Sequence, residues 1–246
     1  MLMKLLALAA LWTPLGFAQA ANPPSAETLS YRVEWGLVTA GKARMEWNTV
    51  QQPPGYQAKL HLETAGLASK VYTVEDDYVV TSNRAMCAMA SQFLSNEGSR
   101  HRDTRIAYDS KANKAIYFER DRIKNAILSS HTIDTPPCVH DVLGALYYLR
   151  TLNLGPGKST QIAVTDGKKA AMTKVEAQQR EDVKTPAGSF KTIRYEIFLF
   201  NDVLYRRPAH LYVWLTDDAR KLPVQIQVRM QIIAIGTITF ELERYG

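Results

Sequence analysis

The sequence predicts an all-β, mainly antiparallel fold, in which one large and strongly curved sheet or half-open barrel encloses a single helix. Three observations support this. Short runs that alternate apolar and polar residues recur along most of the chain and are separated by turn residues. Only one stretch shows the apolar period of about 3.6 residues that a helix requires. That stretch stands between two strand-rich halves, so we expect sheet from both sides to wrap it.

The predicted helix spans residues 141–152. Its apolar positions share the helical period and are Val142, Leu143, Leu146, Tyr147 and Leu149. Asp141 suits the N-cap, because its carboxylate can accept hydrogen bonds from the free backbone N–H groups of the first turn. Arg150 lies near the other end, where a cation meets the negative end of the helix dipole. Two prolines before the cap and a Gly-Pro-Gly sequence after residue 154 limit the helix.

About thirteen strands are predicted from the alternating runs. Before the helix they lie at residues 29–37, 40–50, 56–64, 71–81, 88–94, 100–109 and 115–124. After it they lie at residues 160–164, 169–179, 190–200, 210–215, 224–232 and 236–245. The turn between residues 185 and 188 contains Pro186, which fixes φ, and Gly188, which can adopt a positive φ.

The N-terminus has the order of regions found in a secretory signal peptide. Lys4 precedes an apolar run at residues 5–15, and small residues follow up to Ala20. We expect cleavage after Ala20, a flexible leader at residues 21–28 and a single domain at 29–246. The apolar run is shorter than the roughly 20 residues that span a bilayer, so a periplasmic protein without a transmembrane span is predicted. An uncleaved signal anchor is the alternative.

The charge pattern does not favour nucleic acid as a partner. The formal charge of +6 is modest, and the sequence contains no long Lys/Arg run.

Cys87 and Cys138 are the two cysteines of the chain, and we predict that they form a disulfide. Closing a loop of about 50 residues stabilises a fold by roughly 4 kcal/mol in the chain-entropy model. The alternative is two buried free thiols. Two cysteines without a nearby histidine pair do not supply four ligands, so neither a metal site nor a cofactor is predicted.

Four segments of the chain resemble a known family. They are residues 31–43, 135–157, 183–190 and 212–224, the last of which contains Trp214. In this order they are similar to the bacterial exported family DUF3108, a domain of unknown function. The resemblance implies a curved antiparallel sheet and an envelope location, and it implies no established activity, cofactor or catalytic residue. A more distant likeness, of architecture only, is to periplasmic lipoprotein carriers that hold lipid against a helix.

No local catalytic motif is present in the sequence. It contains neither a Gly-x-Ser-x-Gly elbow nor a histidine spacing that places two imidazoles on one face. His140 precedes the predicted cap Asp141, and this pair is interpreted as structural. The acidic pairs at 76–77 and 217–218 suit solvated turns. A non-enzymatic protein is therefore expected.

The strongest candidate site is basic. If Tyr108 lies opposite Lys114 in the hairpin of residues 100–124, four arginines share the face whose other end is apolar. They are Arg100, Arg102, Arg120 and Arg122. Such a surface suits an amphiphile with an anionic headgroup, since guanidinium binds phosphate and carboxylate bidentately. Tyr147 is expected to line the same concavity. A register slip of one residue would instead put the two arginine pairs on opposite faces.

These observations favour a binding or carrier protein for an apolar or amphiphilic envelope component. The first alternative is a structural or interaction module that binds another envelope protein. The second is a hydrolase of envelope glycan or lipid, which would require His140 or His101 to meet a carboxylate and a hydroxyl in a cleft.

Overall fold

A computed structural model describes residues 24–231 and 236–246. The predicted signal peptide at 1–20 lies outside the described residues. The first half contains β1 (Ala26–Trp35), β2 (Val38–Gln51), β3 (Pro54–Thr64), α1 (Leu67–Val71), β4 (Glu75–Asn83), β5 (Ala88–Glu97), β6 (Arg100–Asp109), β7 (Lys114–Asp121) and β8 (Ala126–Asp134). The second half contains β9 (His140–Asp141), α2 (Val142–Thr151), β10 (Ser159–Thr165), β11 (Ala170–Thr185), β12 (Gly188–Ile197), β13 (Ala209–Thr216), β14 (Pro223–Met230) and β15 (Thr237–Tyr245).

The fifteen strands of the described residues belong to one sheet, and the predicted all-β class is confirmed. The order is β8-β7-β6-β5-β4-β3-β2-β1-β15-β14-β13-β12-β11-β10-β9. Every neighbouring pair is antiparallel except β9 and β10, which are parallel. The two halves are joined by the pairing of β1 with β15. None of the helices in the described part of the chain is long and apolar enough to cross a membrane.

Several predicted bounds were wrong. β1 begins at Ala26, inside the expected leader, because β2 is long enough to pair with it as far as Asn48. The expected strand at 71–81 begins only at Glu75, since α1 extends through Val71. Strand β8 was not predicted, because it is an edge strand with little burial on either face. The expected strand at 224–232 ends at Met230, and residue 232 lies outside the described residues.

The sheet curls until its β9 end reaches β5. The N–H of Ala88 donates to the carbonyl of Val139 at 2.9 Å. Beside this contact lies the predicted disulfide between Cys87 and Cys138. The turn between β10 and β11 closes the curl further, because Gly167 packs against Ile106. A Cβ at Gly167 would lie only 2.5 Å from the Cδ1 of Ile106, and its φ is +82°. Glycine is therefore required at this close approach.

Helix α2 fills one end of the curled sheet. The ring of Tyr147 in this helix stacks on the ring of Trp47 in β2, with the ring centroids 4.2 Å apart. Near its C-terminus, the guanidinium of Arg150 binds both carboxylate oxygens of Glu27 at 2.6 and 2.7 Å. The main core lies between this helix and the concave face of the sheet.

Two residues singled out in the sequence lie in the second half of the sheet. Gly188 has a φ of 133° and follows Pro186 in the turn between β11 and β12. Trp214 is buried on β13, and its Nε1 donates to the Oε1 of Glu181 at 2.6 Å. Both features stabilise the sheet and lie away from the cavity described below.

Candidate functional site

The register of β6 and β7 differs from the predicted one by a single residue. Tyr108 pairs with Ala115, and Arg102 pairs with Asp121. The turn between the strands sets this register. The carboxylate of Asp109 accepts hydrogen bonds from the backbone N–H groups of Lys111 and Ala112, and Asn113 adopts a φ of 51°. The expected cluster of four arginines on one face was therefore wrong.

Arg120 and Arg122 lie on the convex side of the sheet. The Nη2 of Arg120 is 3.3 Å from a carboxylate oxygen of Asp103. The Nη1 of Arg122 donates to the Oδ1 of Asn96 at 2.9 Å. Both guanidinium groups are thus engaged outside the curl, whereas Arg100 and Arg102 face into it.

A cavity of about 530 Å³ lies between α2 and the concave face of the sheet. Apolar side chains from both halves form most of its wall. They include Leu60, Leu146, Leu149, Val213 and Ile226. Ligand cavities in proteins typically have volumes of about 300–1,000 Å³ and mostly apolar walls with a few polar groups.

The charged residues that line this cavity come from the start of β6, the end of β7 and the β10–β11 turn, and we call this part of its wall the mouth. They are Arg100, Arg102, Glu119, Asp166 and Lys168. Lys168 comes from the β10–β11 turn, and its Nζ lies 3.2 Å from the Oε2 of Glu119. Arg100 approaches the other carboxylate oxygen of Glu119 at 3.9 Å. With three cations and two carboxylates, the mouth has a formal charge of +1.

Glu119 is the anionic centre of the mouth. Burial raises the pKa of its carboxyl, but the Tyr117 hydroxyl and the Lys168 ammonium outweigh burial and hold this pKa below its usual value. The Tyr117 hydroxyl donates to the Oε2 of Glu119 at 2.8 Å. Glu119 is therefore ionised at neutral pH and balances part of the charge of Arg100 and Lys168.

Arg102 is half-buried, and its charge helps to lower the pKa values of the nearby carboxyls of Glu119 and Asp121. Its Nε is buried, and no hydrogen bond or ion pair within 4 Å engages its guanidinium among the described residues. A buried donor without an acceptor costs about 1–3 kcal/mol, and more when it is charged. An anion at the mouth would remove this cost.

The family comparison covers nearly all of this architecture. The family described as protein of unknown function (DUF3108) matches residues 30–243. The chain belongs to the DUF3108 family. The resemblance seen in four short segments is thereby confirmed. Among proteins with curated descriptions, none matches this DUF3108 protein.

The solved structures that match the DUF3108 protein share little sequence with it. A β-barrel-like protein of domain of unknown function DUF1849 from Brucella abortus has a TM-score of 0.58 at 10% identity, over 91% of this chain and 98% of that one. A protein assigned as exported, with a YmcC-like fold, from Bacteroides fragilis gives 0.38 at 11% identity over 91% and 97%. A protein assigned as a lipoprotein from Parabacteroides distasonis gives 0.33 at 10% identity over 93% and 97%. At 10% identity, the likeness to the Brucella abortus structure concerns the fold alone.

Tyr147 does not line the cavity of the DUF3108 protein, so this expectation was wrong. It is 2% exposed and lies between Trp47 and the guanidinium of Arg150, which is 5.2 Å from its ring centroid. The residues that sequence reasoning missed at the mouth are Glu119, Asp166 and Lys168. The only local signal at the last two was a hairpin turn, which does not reveal that the sheet curls onto β7.

The histidines near the cavity have structural contacts. The Nδ1 of His140 lies 2.9 Å from the carbonyl oxygen of Met86, and its ring stacks on Tyr148. Burial lowers the pKa of His140. The Nδ1 of His101 lies 3.0 Å from the Oδ1 of Asn96. Within the described residues, no group of three or more His, Cys, Asp or Glu residues could hold a metal ion.

Asp141 caps α2 from a fully buried position. Its Oδ1 accepts from the N–H groups of Leu143 and Gly144 at 2.9 and 3.1 Å and from the Tyr78 hydroxyl at 3.2 Å. Its Oδ2 is buried without a hydrogen-bond partner among the described residues. Burial raises the pKa of Asp141 to about 6.

The Asp141→Asn variant should lack one component of the pH dependence of stability. Because the native pKa is raised from 3.8 to about 6, the native state keeps a proton that the unfolded chain releases. This component destabilises the wild type progressively as pH rises from about 4 to 6. The asparagine oxygen can still accept the capping bonds. Urea unfolding at pH 4 and 7.5 should show the wild type losing on the order of 2–3 kcal/mol relative to the variant. Parallel pH profiles would contradict this expectation.

Proposed function

We propose that this DUF3108 protein is a non-enzymatic periplasmic carrier or binding protein for an amphiphile with an anionic headgroup. The observation that carries the proposal is a mostly apolar cavity of about 530 Å³ with Arg102 at its mouth, where no hydrogen bond or ion pair within 4 Å engages the guanidinium among the described residues. An apolar tail would occupy the cavity between α2 and the sheet. The headgroup would then lie at the mouth.

The chemistry of the mouth supports an anion that guanidinium can bind bidentately, such as a carboxylate or a phosphate. Glu119 already engages Lys168 at 3.2 Å and Arg100 at 3.9 Å. Arg102 is the cation of the mouth with no carboxylate oxygen of a described residue within 4 Å of its guanidinium nitrogens. A headgroup oxygen is therefore favoured near Arg102 and disfavoured directly beside Glu119.

Two independent features support the proposed periplasmic location. The order of regions at residues 1–20 is that of a signal peptide. The disulfide between Cys87 and Cys138 suits an oxidising environment such as the periplasm. Both support a carrier that works in the cell envelope.

Arg102→Gln should weaken the binding of an anionic amphiphile, whereas Arg120→Gln should not. The two residues lie on neighbouring strands of one hairpin but on opposite faces of the sheet. A hydrogen bond to a charged group contributes about 1.5–3 kcal/mol, which corresponds to a roughly ten- to hundredfold change in affinity. Titration of the delipidated protein with cis-parinaric acid, a fluorescent fatty acid, measures this change.

The methyl ester of the same fatty acid is the matched probe for charge. We expect Arg102→Gln to bind the ester as the wild type does, because the ester has no carboxylate. The absence of saturable parinaric acid binding to the wild type would contradict the proposal. Equal weakening by Arg102→Gln and Arg120→Gln would contradict the placement of the headgroup.

A further inference from the structure

The exposed apolar residues of this protein are concentrated at one end of the sheet. Successive strands of the first half are antiparallel neighbours, so the β1–β2, β3–β4, β5–β6 and β7–β8 connections lie at the same end. We call it the mouth end, because Arg100 at the start of β6 lines the cavity mouth. Eight large apolar side chains lie in or beside these connections and are at least half exposed. They are Trp35, Leu37, Val38, Leu67, Val71, Tyr72, Ile123 and Ile127, which we call the apolar rim.

The apolar rim contains residues that core packing does not explain. Leu37 is 100% exposed at the tip of the β1–β2 turn. In α1, no residue is buried, and Leu67 and Val71 lie on the same face of the helix because they are four residues apart. Their side chains are 71% and 87% exposed. An exposed apolar surface of this kind marks an interaction site.

Backbone hydrogen bonds connect these turns into one surface that reaches the cavity mouth. Next to α1, the N–H of Ala65 donates to the carbonyl of Ala40 at 2.9 Å. The N–H of Gly98, in the β5–β6 turn, donates to the carbonyl of Thr73 at 2.8 Å. The ring of Tyr72 covers Gly98, where a Cβ would lie 3.0 Å from the ring carbon Cε2. Arg100 follows two residues later.

Cations are interspersed with the apolar rim. Lys70 and Lys124 are exposed, and neither is in an ion pair with a described residue. Arg122 is exposed beside Ile123. Apolar side chains that alternate with lysine and arginine are typical of surfaces that bind anionic bilayers. Protein interfaces, in contrast, are depleted in lysine. Glu63 and Glu75 are also exposed at this end, so it is the exposed apolar side chains together with the lysines, and not the net charge, that favour a lipid surface over a protein partner.

We propose that the apolar rim docks the protein on an anionic phospholipid bilayer, with the mouth of the cavity against the headgroups. Leu37, Leu67 and Val71 would enter the interface, and Lys70 and Lys124 would contact lipid phosphates. An amphiphile could then pass between bilayer and cavity without crossing water. The transfer step rests on the proposed carrier function, whereas the docking step can be tested without it.

The test measures co-sedimentation of the exported protein with vesicles of phosphatidylcholine, with and without phosphatidylglycerol. The N-terminus is determined by mass spectrometry, so that residues 5–15 do not account for binding. The rim variant replaces Leu37, Leu67 and Val71 with Glu. Ile116→Glu is the matched control, because Ile116 is 49% exposed on the convex wall of β7 away from the rim. We expect the wild type and the Ile116→Glu control to bind the anionic vesicles equally well. The rim variant should bind them about tenfold more weakly, or more weakly still.

Binding of cis-parinaric acid without vesicles separates this proposal from the carrier function. The rim variant should bind the fatty acid normally, and Arg102→Gln should still bind vesicles. The docking proposal is overturned if the wild type binds neither vesicle, or if the rim variant binds as the wild type does. The proposal would also be overturned if the wild type formed a dimer and did not bind vesicles, and if the rim variant were monomeric. That result would show that the apolar rim binds a second copy of the chain.

Discussion

Replacing Arg150 with Met lowers the free energy of unfolding by about 3–5 kcal/mol, because it leaves the Glu27 carboxylate buried without its counter-ion. The two side chains are only 5% and 9% exposed, and their bidentate contacts are 2.6 and 2.7 Å long. Arg150 Nη2 also donates to the carbonyl of Arg220 at 3.1 Å. Urea denaturation of wild type and variant measures the difference.

Two further variants make this test specific. Lys114→Met breaks the exposed pair with Asp134, in which the side chains are 47% and 89% exposed, and should cost less than about 1 kcal/mol. Combining Arg150→Met with Glu27→Leu removes both charges and should recover much of the loss. If Arg150→Met cost no more than Lys114→Met, the buried pair would not stabilise the fold as argued.

The helix could be predicted from the sequence, but the partner of its arginine could not. The period of the apolar residues and the cap at Asp141 are local, so the predicted range of 141–152 is close to the observed Val142–Thr151. The sequence placed Arg150 at the end of the helix dipole. Its buried partner Glu27 is 123 residues away, and only the curl of the sheet brings the two together.

The strands, like the helix, could be predicted where the signal is local, but not where their position depends on distant contacts. Alternating burial marks strands with one face in the core, and most of these were predicted. β8 has little burial to mark it. The register of β6 and β7 depended on the turn at Asp109, and a difference of one residue moved Arg120 to the convex face. The sequence left open whether Arg100 and Arg102 face the concavity or solvent; both line the cavity.

The cavity mouth could be predicted only in part. Its arginines belong to a recognisable hairpin, but Lys168 reaches Glu119 from a turn 49 residues away. That contact exists because Gly167 allows the β10–β11 turn to lie on Ile106. The position of a turn on a distant strand depends on the curvature of the whole sheet, which no local pattern specifies.

Replacing Cys87 and Cys138 with Ala should lower the free energy of unfolding by roughly 4 kcal/mol. The disulfide joins residues separated by 51 positions, and in the chain-entropy model a loop of this length restricts the unfolded chain by about that amount. Urea unfolding of the double variant measures the loss. The variant should also show a larger m-value, because its unfolded chain is less compact. A loss below about 1 kcal/mol would contradict the expectation.

The disulfide and the Arg150–Glu27 pair hold opposite ends of residues 138–150, a segment that includes most of α2 and so one wall of the cavity. Cys138 lies just before the cap Asp141, whereas Arg150 lies in the last turn of α2. Since the two contacts share no partner, their losses should add within about 0.5 kcal/mol when all the substitutions are combined. A combined loss well below the sum would show that α2 detaches as one unit once either end is released. In that case each single variant should also lose cis-parinaric acid binding, since α2 supplies one wall of the cavity.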